Sequence, residues 1–158
     1  MRRVEQLIPY SKEHHHALLL VWKIRQGLSK QIPLERIASY VYYFYETNLL
    51  QHFMEEERFV FPLLPDNEPL KIKALKDHLL LRTLATLIEQ NFDLENNIES
   101  FAVALNDHIR FEERELFAYM QANLNEEEIK KITKFTGNEK VDFDSKWQDQ
   151  FWRKEVLN

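Results

Sequence analysis

Two places in the sequence carry a histidine followed four residues later by a glutamate: His52 with Glu56, and His108 with Glu112. In a helix this spacing puts both side chains on one face, about one turn apart. Imidazole and carboxylate groups without sulfur suit iron, manganese or zinc. The spacing alone is weak, because 26 of the 158 residues are acidic and such pairs also arise by chance. The position of each pair relative to the apolar residues is the stronger argument.

Both pairs lie on the apolar faces of their segments. Leu49 and Phe59 share a helical face with His52, and Leu105 shares one with His108. Burying an unpaired glutamate or a charged histidine costs on the order of several kcal/mol unless the group neutralises, pairs or binds a metal. Buried ion pairing is the alternative, but two such pairs in one core favour a shared metal site.

Two further histidines extend the candidate site. His78 lies among leucines at helical spacing and is predicted to be a ligand. In the run of three histidines near the start of the chain, only His14 continues the apolar stripe of its segment. We therefore predict His14 as the ligand, keep His15 as a reserve and expect His16 to be exposed. Glu55 is a second reserve, because it could fill an open metal position.

Four long helices must position these residues. Apolar residues recur with a period of 3.6 between sequence breakers, which predicts helices over about 11–29, 33–61, 69–91 and 95–122. Short connections make consecutive helices antiparallel neighbours. The fold prediction is an all-α, up-down-up-down antiparallel four-helix bundle in a single domain spanning 1–158. Its core covers about 9–124, and a short C-terminal helical extension covers 125–158.

The extension is predicted to contain two more helices. Asn125 and Glu128 form a capping-box pattern that opens a short helix to about residue 135. A last helix is predicted over 144–156. Its aromatic residues Trp147, Phe151 and Trp152 are expected to pack across the bundle, with a dimer contact as the alternative.

Depth along the bundle can be compared by counting from each connection, since antiparallel helices place equidistant residues at the same level. This count puts His52, His78 and His108 in one layer. His14 fits less well: it lies 14 residues before Leu28, whereas His52 lies 19 residues after Pro33, a mismatch of about 7 Å at the helical rise.

The sequence also contains an internal repeat. HFMEEERFVF begins at His52 and HIRFEERELF begins at His108, while KEH at 12–14 resembles KDH at 76–78. The bundle is therefore predicted to consist of two similar helical hairpins. Each would bring one histidine and one His-x-x-x-Glu pair to a shared centre.

The ligand set favours two iron ions with an Fe–O–Fe type bridge, for which manganese or zinc could substitute. Four histidines and two bridging carboxylates, with one shared oxo or hydroxo group, fill roughly ten of the twelve positions of two octahedra. Open positions on a redox metal in an apolar pocket favour a small diatomic molecule or a peroxide. The acidic residues next to the proposed ligands, Glu57, Glu113 and Glu115, are expected to face solvent.

Composition excludes several other classes. The chain has no cysteine, so disulfides, zinc–thiolate sites and thiol nucleophiles are excluded. Its formal charge of −5 provides no electrostatic attraction to the phosphates of a nucleic acid, so no nucleic-acid partner is expected. No apolar run reaches the length needed to span a bilayer, and the N-terminal apolar block is too short for a secretory signal. A cytoplasmic protein without a membrane partner is expected.

Four motifs together resemble hemerythrin-like (HHE) cation-binding domains: EHHHALLL at 13–20, HFMEEERFVFPLL at 52–64, KDHLLLR at 76–82 and HIRFEERELF at 108–117. The resemblance implies a four-helix bundle with a non-haem diiron site. It also implies a ligand set in which the histidines are terminal ligands and the glutamates bridge: His14, His52, His78, His108, Glu56 and Glu112.

One position departs from the oxygen-carrying hemerythrins, because Arg82 stands where a second histidine of that helix is expected. The set of four histidines and two glutamates is more similar to the hemerythrin-like domain of iron-centre repair proteins, which carry a cysteine-containing region that this chain lacks. The leading hypothesis is a diiron protein that binds or senses oxygen or nitric oxide, or handles iron. The alternatives are a diiron oxidase, peroxidase or repair-type enzyme, and a metal-free helical interaction module.

Overall fold

The computed structural model describes residues 2–136 and 145–154, which contain helices and no strand. Four long helices carry the fold. α1 is Ile8–Ser29, α2 starts at Leu34 and continues to residue 60, α3 is Pro69–Glu89, and α4 starts at Leu94 and continues to residue 123. The all-α prediction and the four long helices are confirmed.

α1 begins earlier than predicted. The expected N-cap, Ser11, lies inside the helix, which instead starts at Ile8 with Pro9 in its first turn. Proline is favoured there because its missing N–H would have no partner in the helix. A short 3₁₀ turn, Glu5–Leu7, leads into the helix and extends it further. The added turn places Tyr10 in the protein core, where its side chain is fully buried.

α2 and α4 are interrupted by π-helical turns. In α2 these turns are Tyr45–Leu49 and Glu56–Val60, separated by the α-helical segment Leu50–Glu55. In α4 the π turn is Glu112–Leu116. A π turn adds one residue to a helical turn and is frequent at functional sites. Two of the three turns begin at the two glutamates that sequence analysis selected.

The predicted helical extension is largely wrong. The capping box at Asn125 is confirmed, with its side chain and that of Glu128 each bonded to the other's backbone N–H. The helix it opens, α5, is only Glu126–Lys130. Within the predicted last helix, residues 145–154 form turns and irregular chain rather than helix. Residues 144, 155 and 156 of that prediction lie outside the described residues.

The aromatic residues of this C-terminal segment nevertheless pack across the bundle as predicted. Trp152 lies 4.5 Å from Tyr40 and Trp147 lies 4.7 Å from Tyr43, measured between ring centroids. Phe151 and Trp152 are buried. The apolar pattern of this segment therefore predicted its packing correctly. The predicted helical conformation of the segment was wrong.

The buried side chains form two apolar clusters. One fills the half of the bundle that includes Ile24, Val41 and Ile98. The other fills the half that includes Phe61 and Phe117. The buried histidines contact aromatic rings of both clusters, so the candidate site lies between them. No helix in the described ranges is long and apolar enough to cross a membrane.

Candidate metal centre

Six polar side chains from all four long helices meet in the interior of the bundle. Every one of them is at most 2% exposed. They are the six residues that sequence analysis proposed as ligands: His14, His52, Glu56, His78, His108 and Glu112. Such a set is unusual in a core, because histidine and glutamate are rarely buried without partners.

Aromatic rings fix the histidine side chains. The His14 ring stacks on Phe117 at a centroid distance of 5.4 Å. The His78 ring stacks on Phe53 at 4.2 Å and lies 5.3 Å from Phe61. Phe53 belongs to one apolar cluster and Phe61 and Phe117 to the other. The centre is therefore held between two packed apolar layers, which restrict ring rotation and exclude water.

The donor atoms form two overlapping groups. One group is His14, His52, Glu56 and Glu112, and the other is Glu56, His78, His108 and Glu112; within each, the donor atoms lie within 4.8 Å of one another. Both glutamates belong to both groups. The two oxygens of Glu112 face histidines of different groups. Oε2 lies 3.2 Å from His14 Nε2, and Oε1 lies 3.5 Å from His78 Nε2. This is the arrangement that a carboxylate bridging two ions requires.

The distances between donors fit a metal. His52 Nε2 lies 3.1 Å from Glu56 Oε1, and His78 Nε2 lies 3.3 Å from the same oxygen. Two ligands about 2.1 Å from one ion and at right angles would lie about 3 Å apart. The observed separations therefore match neighbouring corners of a coordination shell.

The same donor atoms lack hydrogen-bond partners. The four Nε2 atoms of the buried histidines and all four carboxylate oxygens of Glu56 and Glu112 are buried without one. Most buried polar atoms in proteins are hydrogen-bonded, so orphaned atoms need an explanation. Eight orphaned atoms pointing at one another are the expected signature of a metal centre whose ions are its missing partners.

Each histidine is oriented by a carboxylate on its other ring nitrogen. His14 Nδ1 lies 2.7 Å from Glu113, and His52 Nδ1 lies 2.9 Å from Glu13. His78 and His108 are held in the same way; their partners are Glu57 at 3.2 Å and Asp77 at 3.0 Å. A carboxylate that accepts the Nδ1 proton fixes the tautomer in which Nε2 is free to bind a metal.

These supporting carboxylates correct one expectation. Glu57 and Glu113 were expected to face solvent, but each supports a histidine, whereas Glu115 is exposed as expected. The internal repeat marks these positions, because each supporting acid lies directly before a histidine or directly after one of the two glutamates proposed as ligands. Glu13 and Asp77 occupy the first position, and Glu57 and Glu113 the second.

The six buried residues shift one another's pKa values. Burial acts to lower the pKa of His14 and His78, but the adjacent Glu112 and Glu56 carboxylates favour the charged imidazole, outweigh burial and raise the pKa of both well above 6.5. Burial and the Glu112 charge act to raise the pKa of Glu56, yet His52 and His14 offset them and lower that pKa to about 2. Protonated imidazoles thus neutralise the carboxylates when no cation does, and metal binding would displace those protons.

The two reserve residues lie outside both groups. His15 is exposed, and its ring contacts that of His16 at 5.9 Å. His16, which was expected to be exposed, is half-buried. Glu55 is buried, but its carboxylate pairs with Lys134 at 2.9 Å instead of joining the centre.

His14 reaches the layer of the other histidines despite the mismatch in the residue count. α1 runs on to Ser29 and α2 starts at Leu34, so His14 lies 15 residues before one end and His52 lies 18 residues after the other. The π turn Tyr45–Leu49 takes up a further residue with little gain in length. The observed helix ends and this turn therefore remove most of the difference.

Comparison with known proteins gives one match. The model of the family described as the hemerythrin HHE cation binding domain matches residues 7–120. The match covers more than half of the chain and contains all six buried donors. The chain belongs to the hemerythrin HHE family. Searches of curated proteins and of solved structures give no significant match. The buried histidines and glutamates of this HHE domain could hold a metal ion, which agrees with the cation binding named in the family description.

Proposed function

We propose that this HHE domain binds two iron ions and uses them to bind or sense a small diatomic molecule, oxygen or nitric oxide. His14 and His52 would hold one ion, His78 and His108 the other. Glu56 and Glu112 would bridge them. The observation that carries the proposal is the set of eight buried donor atoms without hydrogen-bond partners, divided into two groups that share both glutamates.

Iron is the proposed metal because the donors are imidazoles and carboxylates, which also suit manganese and zinc as substitutes. Six protein residues leave positions for an Fe–O–Fe type bridge and for an external ligand. When bound, the iron pair would supply reversible electron transfer to such a ligand. The residues of the chain would hold the ions, keep Nε2 of each histidine deprotonated and exclude water.

Burial supports a small ligand. The six donors are at most 2% exposed, and aromatic rings pack against the histidines. A bulky substrate could not reach the ions without separating the helices, whereas a diatomic molecule or a peroxide could. We propose a four-helix bundle of up-down-up-down order around the site, because short connections join consecutive helices. A cytoplasmic location and a homodimer also stand as proposals.

The test is ligand binding by the reduced protein. The protein is loaded with ferrous iron without air, and absorption spectra are recorded as nitric oxide or oxygen is added. A saturable spectral change with a defined ligand-to-iron ratio is expected. A His52→Ala, His108→Ala double variant is the matched control and should lose the change. An unchanged spectrum in the loaded wild-type protein would contradict ligand binding.

Enzymes are the second class. A diiron oxidase or peroxidase, or a repair-type factor that donates iron, predicts turnover of peroxide or ferrous iron by the loaded protein. Saturable ligand binding without turnover would favour the binding or sensing role, whereas sustained turnover would favour the enzyme. A metal-free helical interaction module, the third class, predicts no stoichiometric metal and unchanged stability after His52→Ala.

A further inference from the structure

The C-terminal segment 132–136 lies against the metal centre although it follows the matched family domain, which ends at residue 120. It has no helix or strand, yet it is firmly attached. Ile132 is buried in an apolar cluster, and the Tyr10 hydroxyl donates to the Thr133 carbonyl oxygen at 2.6 Å. The Phe135 N–H donates to Glu55 at 3.2 Å. Burial and hydrogen bonds therefore hold the segment in a defined position beside the site.

Lys134 is the charged residue of this segment, and its side chain is only 4% exposed. The ammonium group lies 2.9 Å from Glu55 and 3.1 Å from Glu13. It also donates to the Thr136 carbonyl and hydroxyl oxygens at 2.9 and 3.0 Å. A buried ammonium is costly unless it is paired in this way. Its position is thus fixed by four contacts.

One of those contacts leads directly to the metal centre. Glu13 accepts from His52 Nδ1 at 2.9 Å with the same oxygen, Oε1, that pairs with Lys134 at 3.1 Å. His52 presents its Nε2 to the group of donors that also contains His14. The chain Lys134–Glu13–His52 therefore connects a buried positive charge to one side of the centre.

The other side of the centre has a different cation. His108 is the counterpart of His52 in the internal repeat, and its supporting residue Asp77 pairs with Lys73 at 2.8 Å. The Lys73 side chain is 49% exposed, so solvent screens its charge. A buried charge acts more strongly than a solvated one at the same distance.

Resting on the proposed diiron function, we infer that Lys134 is a positioning residue that holds Glu13 against His52 and offsets the negative charge of Glu13 beside one of the two metal positions. The two positions thereby become unequal, although the repeat makes their direct ligands alike. A metal whose histidine is supported by a carboxylate paired with a buried cation receives less electron density than one supported by a carboxylate whose cation is screened by solvent. Lys134 consequently favours the reduced form of the ion held by His14 and His52.

The test compares Lys134→Met with Lys73→Met in the iron-loaded protein of 158 residues. Lys134→Met removes the buried charge with little change in side-chain length, and the reduction potential of the centre should fall. Lys73→Met should leave the potential near that of the wild type. Lys134→Arg retains the charge and should restore the potential. Iron content is measured for every protein before the potentials are compared.

The Phe135→Ala variant distinguishes an effect of the Lys134 charge from an effect of loosening segment 132–136. Phe135 packs against Phe59 at a centroid distance of 5.0 Å, so its loss loosens the segment while Lys134 remains. The reduction potential of the Phe135→Ala variant should stay near that of the wild type. Equal shifts in Phe135→Ala and Lys134→Met, or no shift in Lys134→Met, would overturn the role of Lys134. Wild-type protein without bound iron would instead overturn the proposed function.

Discussion

At the residue scale, the proposed centre depends on buried histidines whose Nε2 atoms have no hydrogen-bond partner. His108 is almost completely buried, and its Nε2 atom lies 2.5 Å from Glu112 Oε1 without a hydrogen bond to another group. A side chain in this environment is expected to bind metal directly. The exposed His15, on a neighbouring helix, gives the matched control.

His108→Ala should therefore reduce bound iron below two ions per chain and lower the melting temperature of the loaded protein. Metal binding to the folded state contributes about 2.7 kcal/mol when the free metal is 100 times Kd, and the variant would lose part of that gain. Metal analysis and thermal unfolding with and without iron measure both effects. His15→Ala should match the wild type. Full iron content in His108→Ala would remove His108 from the site.

The supporting carboxylates give a second prediction. Glu113→Ala removes the acceptor of His14 Nδ1 and should weaken metal affinity about 10- to 100-fold, as changes to such partners typically do. Competition with a chelator of known affinity measures the change. Glu115→Ala, at an exposed position two residues away, should have no effect. Equal affinities of the two variants would contradict an orienting role for Glu113.

The proposed ligands could be selected from helical periodicity, whereas their supporting partners could not. His52 and His108 share helical faces with apolar residues, so periodicity alone placed them in the core. Glu57 and Glu113 look like ordinary surface acids, because each follows a glutamate in a charged run. Their role depends on which neighbouring helix faces them, and that is a property of helix packing rather than of local sequence.

At the element scale, the π turns adjust the register of α2 and α4 at the site. A turn that accommodates one additional residue has no distinctive composition, so sequence periodicity gave two uninterrupted helices instead. The error at the C-terminus has another cause. Trp147, Phe151 and Trp152 are at helical spacing, but residues 145–154 obtain their stability by packing on Tyr40 and Tyr43 rather than by forming a helix.

The packing of this segment on α1 can be tested at Gly27. A Cβ atom added there would lie 2.7 Å from a ring carbon of Phe151 and 2.9 Å from Ile37 Cδ1. Gly27→Ala should therefore destabilise the protein by about 1 kcal/mol, since overpacking costs about 1–3 kcal/mol and alanine recovers about 1 kcal/mol of helix propensity. Denaturant unfolding of the metal-free protein measures the change.

The same substitution in a Phe151→Ala background is the control. Removing the ring eliminates the closest of these contacts and leaves the one with Ile37, so Gly27→Ala should lose part of its cost there. Iron content should stay at the wild-type value, because Gly27 lies 13 residues from His14 along α1, about 20 Å at the helical rise. A stabilising effect of Gly27→Ala in the wild-type background would show that Phe151 does not pack tightly on α1.

At the scale of the whole molecule, the buried cluster links stability to pH and to metal. In the metal-free protein the raised pKa values of His14 and His78 contribute stability that is complete below about pH 6.5 and is lost as pH rises through those raised values. The pKa of Glu56, lowered to about 2, contributes stability above about pH 4.5 that is lost as pH falls toward 2. The metal-free protein should be most stable between these limits.

Bound iron should oppose the loss of stability that the metal-free protein shows as pH rises. Metal binding requires deprotonated imidazoles, so affinity rises with pH. The difference in melting temperature between loaded and metal-free protein should grow from about pH 6 to about pH 8. Thermal unfolding across this range, with zinc as a redox-inactive comparison, measures it. A difference that shrinks with rising pH would contradict ligation by the buried histidines.

We propose that the two buried groups of donors, joined by Glu56 and Glu112, form one centre for two ions. Iron per chain, determined by elemental analysis together with protein concentration after removal of free metal, tests it most directly. Two iron ions per chain are expected, and fewer in a Glu56→Ala, Glu112→Ala double variant. A wild-type chain that retains no stoichiometric metal, or a double variant that still binds two ions, would contradict it.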